Sequence, residues 1–240
     1  MTDTPLPVVL VHGAWHGAWC WAGLQAELDR RGVPSYAIDL PGHGASSLPF
    51  GDLHGCAGLV ADFIDRLATD VLLVGHSFGG AVITETGLHT EHVRHLVYLT
   101  AFVLDEGDSV IRIGSLAGIP AEPPTLLDAA RSRVDDFLVL DPELAIPALY
   151  GHCAAEVQQA AAARLCPHPI ASFVQPVTGA AWRTTPSTFI RCTDDRAIAL
   201  SHQDAMATQC THIATLDTDH SPFASMPFET ADILERLARR

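Results

Sequence analysis

The run Val71-Leu72-Leu73-Val74-Gly75-His76-Ser77-Phe78-Gly79-Gly80 limits the fold more than any other stretch of the chain. It opens as an unbroken apolar segment, the pattern of a strand buried on both faces of a sheet. Gly75 and Gly79 lack a Cβ, so the chain turns sharply there and strand and following segment come close together. Ser77 then stands where the strand ends and a helix begins, its hydroxyl lifted clear of the sheet edge. On its own, Gly-x-Ser-x-Gly arises by chance in about one chain of this size in ten. The apolar run before it and the helix-compatible segment after it make it informative.

The flanking sequence repeats this alternation. Residues 7–12 and 34–40 read as strands, 18–31 and 53–68 as helices, 77–87 as the helix after the turn, and the second half of 93–100 as another strand. Such alternation specifies a doubly wound, mostly parallel α/β sheet. After Thr100 the pattern breaks. Prolines recur at 120, 123, 124, 142, 147, 167, 169 and 176, and two helical pieces stand out over 125–133 and 154–165. This is expected to be a helical lid, residues 105–185, inserted after the strand ending near Thr100. Residues 1–104 and 186–240 form the core, with strands at 188–192 and 212–216 and helices at 197–208 and 228–237.

In an open parallel sheet, reactive groups gather at the carboxyl ends of strands. Ser77, the Asp194-Asp195 pair, His220 and the loop His12-Gly13-Ala14 all fall at such ends. A neutral serine hydroxyl is a weak nucleophile and needs a base, which His220 supplies. A buried carboxylate would fix the tautomer of His220 and stabilise its imidazolium. Asp194 and Asp195 are adjacent and only one can face the ring, while Asp217 and Asp219 read as cap or turn residues. Backbone N–H groups of Ala14 and Phe78 are the candidate donors to an oxyanion. Trp15, Phe78, Phe102, Leu104 and Tyr150 are candidate pocket walls, with core packing an equal alternative.

His12 and His16 lie on a loop without a third ligand at helical spacing, so they are read as ordering that loop by hydrogen bonds. His76 is read as structural, His92 and His95 as flanking the sheet, and Asp135 and Asp136 as solvated. The cysteines, Cys20, Cys56, Cys153, Cys166, Cys192 and Cys210, show no C-x-x-C spacing and are expected to be reduced and mostly in the core. No metal and no cofactor is expected. A net charge of −14 argues against nucleic acid and anionic membranes as partners. The chain has no apolar stretch of about 20 residues and no basic, apolar leader at its start, so a cytoplasmic location is expected. Pairing into a homodimer stays open.

His12-Gly13-Ala14-Trp15-His16-Gly17-Ala18-Trp19, Asp39-Leu40-Pro41-Gly42-His43-Gly44, Gly75-His76-Ser77-Phe78-Gly79-Gly80 and Asp219-His220 together resemble the α/β-hydrolase superfamily. The nearest branch is the plant-type methylesterase and hydroxynitrile lyase group with its bacterial relatives. The resemblance spans nearly the whole chain and is weakest in the lid from about 109 to 147. It implies a Ser77–Asp195–His220 triad, placing the acid at the second aspartate of the pair. In the lyases of this branch a Thr follows the loop His and a Lys follows the catalytic His. Here Gly13 and Ser221 stand there, which favours an esterase. The expected function is hydrolysis of a small apolar or aromatic carboxylic ester through an acyl-enzyme on Ser77. A lyase-like enzyme, a lactonase or other tailoring hydrolase, and a ligand receptor on the same fold are the alternatives.

Overall fold

The computed structural model describes residues 4–115 and 118–240, so residues 1–3 of the expected core and 116–117 of the expected lid lie outside the described residues. Strands β1 (Val8–Val11), β2 (Ser35–Ile38), β3 (Val71–His76) and β4 (Val93–Leu99) come first, followed by β5 (Arg131–Val134), β6 (Phe137–Leu140) and β7 (His168–Pro169), then β8 (Ser187–Cys192) and β9 (His212–Leu216). Six of them form one sheet in the order β2-β1-β3-β4-β8-β9, every neighbouring pair parallel. Every residue of β1 and β3 is buried, which is why these inner strands read as continuous apolar runs. At the edge, β9 leaves His212, Ile213 and Thr215 exposed.

The helices are α1 (Ala22–Arg30), α2 (Leu53–Leu67), α3 (Gly79–Thr86), α4 (Leu126–Ala130), α5 (Pro142–Leu149), α6 (Ala155–Ala162), α7 (Ile170–Val174), α8 (Leu200–Ala207), α9 (Pro222–Ser225) and α10 (Pro227–Ala238). Around the sheet, α2 packs against α3 and α1 against α10. The sequence of α2 shows why it forms. Asp52 caps it by accepting the Gly55 N–H at 2.8 Å, and Ala68 ends it in the left-handed region at φ 50°. Between them Leu53, Cys56, Ala57, Val60, Ala61 and Ile64 recur at helical spacing and are all buried. Each of the larger ones contributes roughly 1.5–3 kcal/mol by leaving water.

The segment between β4 and β8 is not purely helical. The helix expected over 125–133 stops at Ala130, and Arg131-Ser132-Arg133-Val134 instead pairs antiparallel with β6, Arg131 opposite Leu140 and Val134 opposite Phe137. Asp135 turns the chain between them at φ 50°, a conformation that a short polar side chain tolerates. Asp135 and Asp136 are exposed as expected, and they also form the hairpin turn. β7 joins the other side of β6 through His168 opposite Leu138. Hydrogen bonds fasten this inserted unit to the sheet domain: Trp182 Nε1–H donates to Leu104 O at 2.9 Å, and the buried His43 Nε2 lies 2.9 Å from His168 Nδ1. All six cysteines are free thiols, with Cys20, Cys56 and Cys192 buried. Burial pushes the Cys56 thiol up to about 12. Among the described residues no helix is long and apolar enough to cross a membrane.

Candidate active site

Ser77 sits between β3 and α3 at φ 52°, in the left-handed region that a residue with a side chain rarely occupies. Two glycines make the turn possible. A Cβ on Gly75 would lie 2.3 Å from Gly79 O, and one on Gly79 would lie 2.5 Å from Val11 O. Strand and helix therefore meet backbone to backbone. The turn is closed by Ser77 O, which accepts N–H bonds from Gly80 at 3.0 Å and Phe102 at 3.1 Å.

At the end of β8, the Asp195 carboxylate is fully buried and accepts the His220 Nδ1–H at 2.7 Å. Its other oxygen accepts the N–H groups of Ala197 at 2.7 Å and Ile198 at 2.9 Å. The Thr100 hydroxyl donates to the same oxygen as His220. Asp194 is turned outward, bonded to His152 Nε2 at 2.6 Å and Arg196 at 3.4 Å, and the His152 bond is the main cause of its lowered carboxyl pKa. The second aspartate is thus the one that faces His220. Asp219 accepts the Ser221 N–H at 3.1 Å and the Ser225 hydroxyl at 2.9 Å, and so serves as the turn residue expected of it.

His76, read from sequence only as structural, joins the two halves of the site. Its Nε2–H donates to His220 O at 2.8 Å, and the two rings lie 4.6 Å apart. Burial, then the neighbouring His220, holds its pKa well below the ordinary histidine range. His12 Nε2 accepts the Leu40 N–H at 3.2 Å and its Nδ1–H donates to Gly13 O at 2.7 Å, tying the end of β1 to the end of β2. His16 bonds Ala14 O at 2.7 Å and the Tyr150 hydroxyl at 2.8 Å, and burial lowers it to about 4. Both therefore order the loop, and among the described residues no cluster of three or more His, Cys, Asp or Glu side chains is placed to hold a metal. A Cβ on Gly13 would come within 2.9 Å of both Ser77 Cβ and His76 Nδ1, so the loop approaches the serine only because that residue is glycine. Among the described residues, neither the Ala14 nor the Phe78 N–H donates to a protein acceptor.

Ser77 opens into a cavity of about 640 Å³ walled by Trp15, Phe102, Val110, Leu127, Leu138, Phe173 and Ile198, with Glu122, Asp128, Arg131 and His202 also lining it. Trp15 and Phe102 are where the sequence suggests. Three other candidates are not in this wall. Phe78 is fully buried against His168 and Phe173, with centroids 4.7 and 5.5 Å away. Leu104 is fully buried, its carbonyl held by Trp182. Tyr150 is 1% exposed, with its hydroxyl turned to His16. Thr100, Phe173 and Ile198 escaped the sequence reading. Thr100 carried one available signal, a hydroxyl at the carboxyl end of a central strand; the other two reach the site only through the folding of the insertion and the β8–α8 turn.

The sequence pattern of the alpha/beta hydrolase family matches residues 8–233. The chain belongs to that family. This hydrolase is 28% identical over 250 residues to the alpha/beta hydrolase nvfD of Aspergillus novofumigatus, covering 97% of its own length and 94% of the relative's. It covers 63% and 56% of the length of two chloroplastic relatives from Arabidopsis thaliana. Among solved structures, the methylesterase MES16 from Arabidopsis superposes with a TM-score of 0.79 at 27% identity, covering 97% of this hydrolase and 98% of that chain. A pyrethroid hydrolase from Sphingobium faniae shares the fold, with a TM-score of 0.85 at 24% identity and 97% of each chain covered. The hydrolase therefore falls in the methylesterase branch, and its class of enzyme is the esterase type.

Proposed function

We propose that this hydrolase cleaves a small, apolar or aromatic carboxylic ester through an acyl-enzyme on Ser77. The observation that carries this reading is the buried Asp195–His220 pair, held by a hydrogen bond from His76, the residue preceding Ser77. His220 takes the Ser77 proton as the oxygen attacks the ester carbonyl, and returns it to the departing alcohol. The N–H groups of Ala14 and Phe78 receive the oxyanion. Water deprotonated by His220 then attacks the acyl-enzyme, releasing the acid and restoring Ser77. A cavity of about 640 Å³ walled by aromatic and aliphatic side chains fits an apolar or aromatic ester. The reported relatives named as a methylesterase and a pyrethroid hydrolase add support for ester chemistry. The cyanohydrin-lyase alternative loses ground at Gly13, where a Cβ would press on Ser77, and at Ser221, which offers no positive charge.

The test is release of p-nitrophenol from acetate, butyrate and octanoate esters by the wild type beside Ser77→Ala. Turnover by the wild type that falls at least about 1,000-fold in a folded Ser77→Ala supports the reading. Absence of turnover in the wild type, or undiminished turnover in the mutant, sinks it.

A further inference from the structure

Trp15 adopts φ 63°, in the left-handed region that a bulky side chain holds only where its surroundings impose it. It follows Ala14 directly, on the loop beside Ser77. Three successive carbonyls of this loop are pinned: Gly13 O by His12 Nδ1 at 2.7 Å, Ala14 O by His16 Nδ1 at 2.7 Å, and Trp15 O by the Cys166 N–H at 3.0 Å. The first hold comes from the sheet domain. The other two lead into the inserted unit, because His16 is itself bonded to Tyr150 and Cys166 lies just before β7. The Trp15 side chain makes the same connection a third time. Its Nε1–H donates to Leu138 O in β6 at 3.0 Å, and its ring lies 5.9 Å from both His168 and Phe173. Gly13, on the other side of Ala14, has no side chain that could hold the loop.

We infer that Trp15 is a positioning residue: through its indole N–H and its strained backbone, the insertion sets the direction of the Ala14 N–H toward the reacting carbonyl. A pocket wall alone would explain the ring in the cavity. It would not explain the indole bond, the carbonyl bond and the left-handed backbone meeting at one residue. The inference rests on the reading of Ser77 and Ala14 given above. Misdirecting one oxyanion donor, rather than deleting it, lowers kcat by roughly 10- to 100-fold.

The experiment compares wild type, Trp15→Phe and a protein carrying benzothienylalanine at position 15, in which sulfur replaces the indole N–H while the ring stays. The last keeps the packing and serves if Trp15→Phe does not fold. Each is assayed with p-nitrophenyl acetate, too small to use the far wall of the cavity, and for inhibition by a trifluoromethyl ketone that forms a tetrahedral oxyanion on the serine. The expected result is a roughly 10- to 100-fold loss of acetate kcat, KM within about twofold, and a parallel loss of ketone affinity. Unchanged kcat and ketone affinity on acetate, with KM raised for the octanoate ester alone, would make Trp15 a wall and overturn the inference. A wild type that leaves the acetate ester uncleaved overturns the ester reading itself, and the inference with it.

Discussion

Four donors converge on the carboxylate of Asp195: the His220 ring, the Thr100 hydroxyl and the N–H groups of Ala197 and Ile198. This sets its orientation and, through it, that of the His220 ring, which lies against His76, the residue before Ser77. Removing the charge while keeping the shape should therefore be costly. Asp195→Asn is expected to lower kcat about 1,000- to 10,000-fold, whereas Asp194→Asn, whose carboxylate bonds His152 and Arg196 at the surface, should stay within about twofold of wild type. Steady-state kinetics on one ester decides the assignment; equal losses would contradict it. Thr100→Val removes one of the four donors and leaves three, so a loss of only a few-fold is expected, visible in kcat rather than KM.

At the scale of elements, the β5–β6 hairpin depends on a single backbone conformation. Asp135 holds φ 50° in the turn, and the strand it follows is exposed along its length. Asp135→Val would place a β-branched side chain in the left-handed region and should destabilise the protein by about 1–2 kcal/mol, while Asp135→Gly should be neutral or slightly stabilising. Urea unfolding of the two variants checks the sign. The opposite order would mean that the turn is not held in this conformation. Because β6 carries the carbonyl that Trp15 bonds, a loosened hairpin should also lower ester turnover more than its stability loss accounts for.

For the molecule as a whole, the notable economy is in histidine. His12, His16, His43, His76 and His168 are buried, and burial is the first cause that lowers the pKa of each, His16 to about 4. Unfolded, these rings titrate near 6.5, so below that pH the unfolded chain binds protons that the folded one does not. Their neutral burial leaves stability undiminished above about pH 6.5 and erodes it as pH falls toward 4; His16 alone would account for about 3 kcal/mol at pH 4. Acidification also relieves self-repulsion at a net charge of −14, but that surface term is screened and works against five shifted rings. Urea midpoints should fall between pH 7 and pH 5, and a midpoint that rises on acidification would contradict this.

What the sequence determined by itself is the part carried by local pattern. Apolar runs ending in glycine turns specify the parallel sheet, and the parallel strands bring Ser77, the Asp194-Asp195 pair and His220 to the same edge of that sheet. Those relations follow from chain order and side-chain period, which any short window displays. Tertiary structure decided the rest. Which of two adjacent aspartates faces inward is read from its partners, the His220 ring and the Thr100 hydroxyl brought from β4 beside β8. Whether Tyr150 walls the cavity or holds His16, and whether residues 131–134 continue a helix or pair with β6, depends on partners far away in sequence. Burial and long-range hydrogen bonding are properties of the assembled chain, and no window of residues contains both members of such a pair.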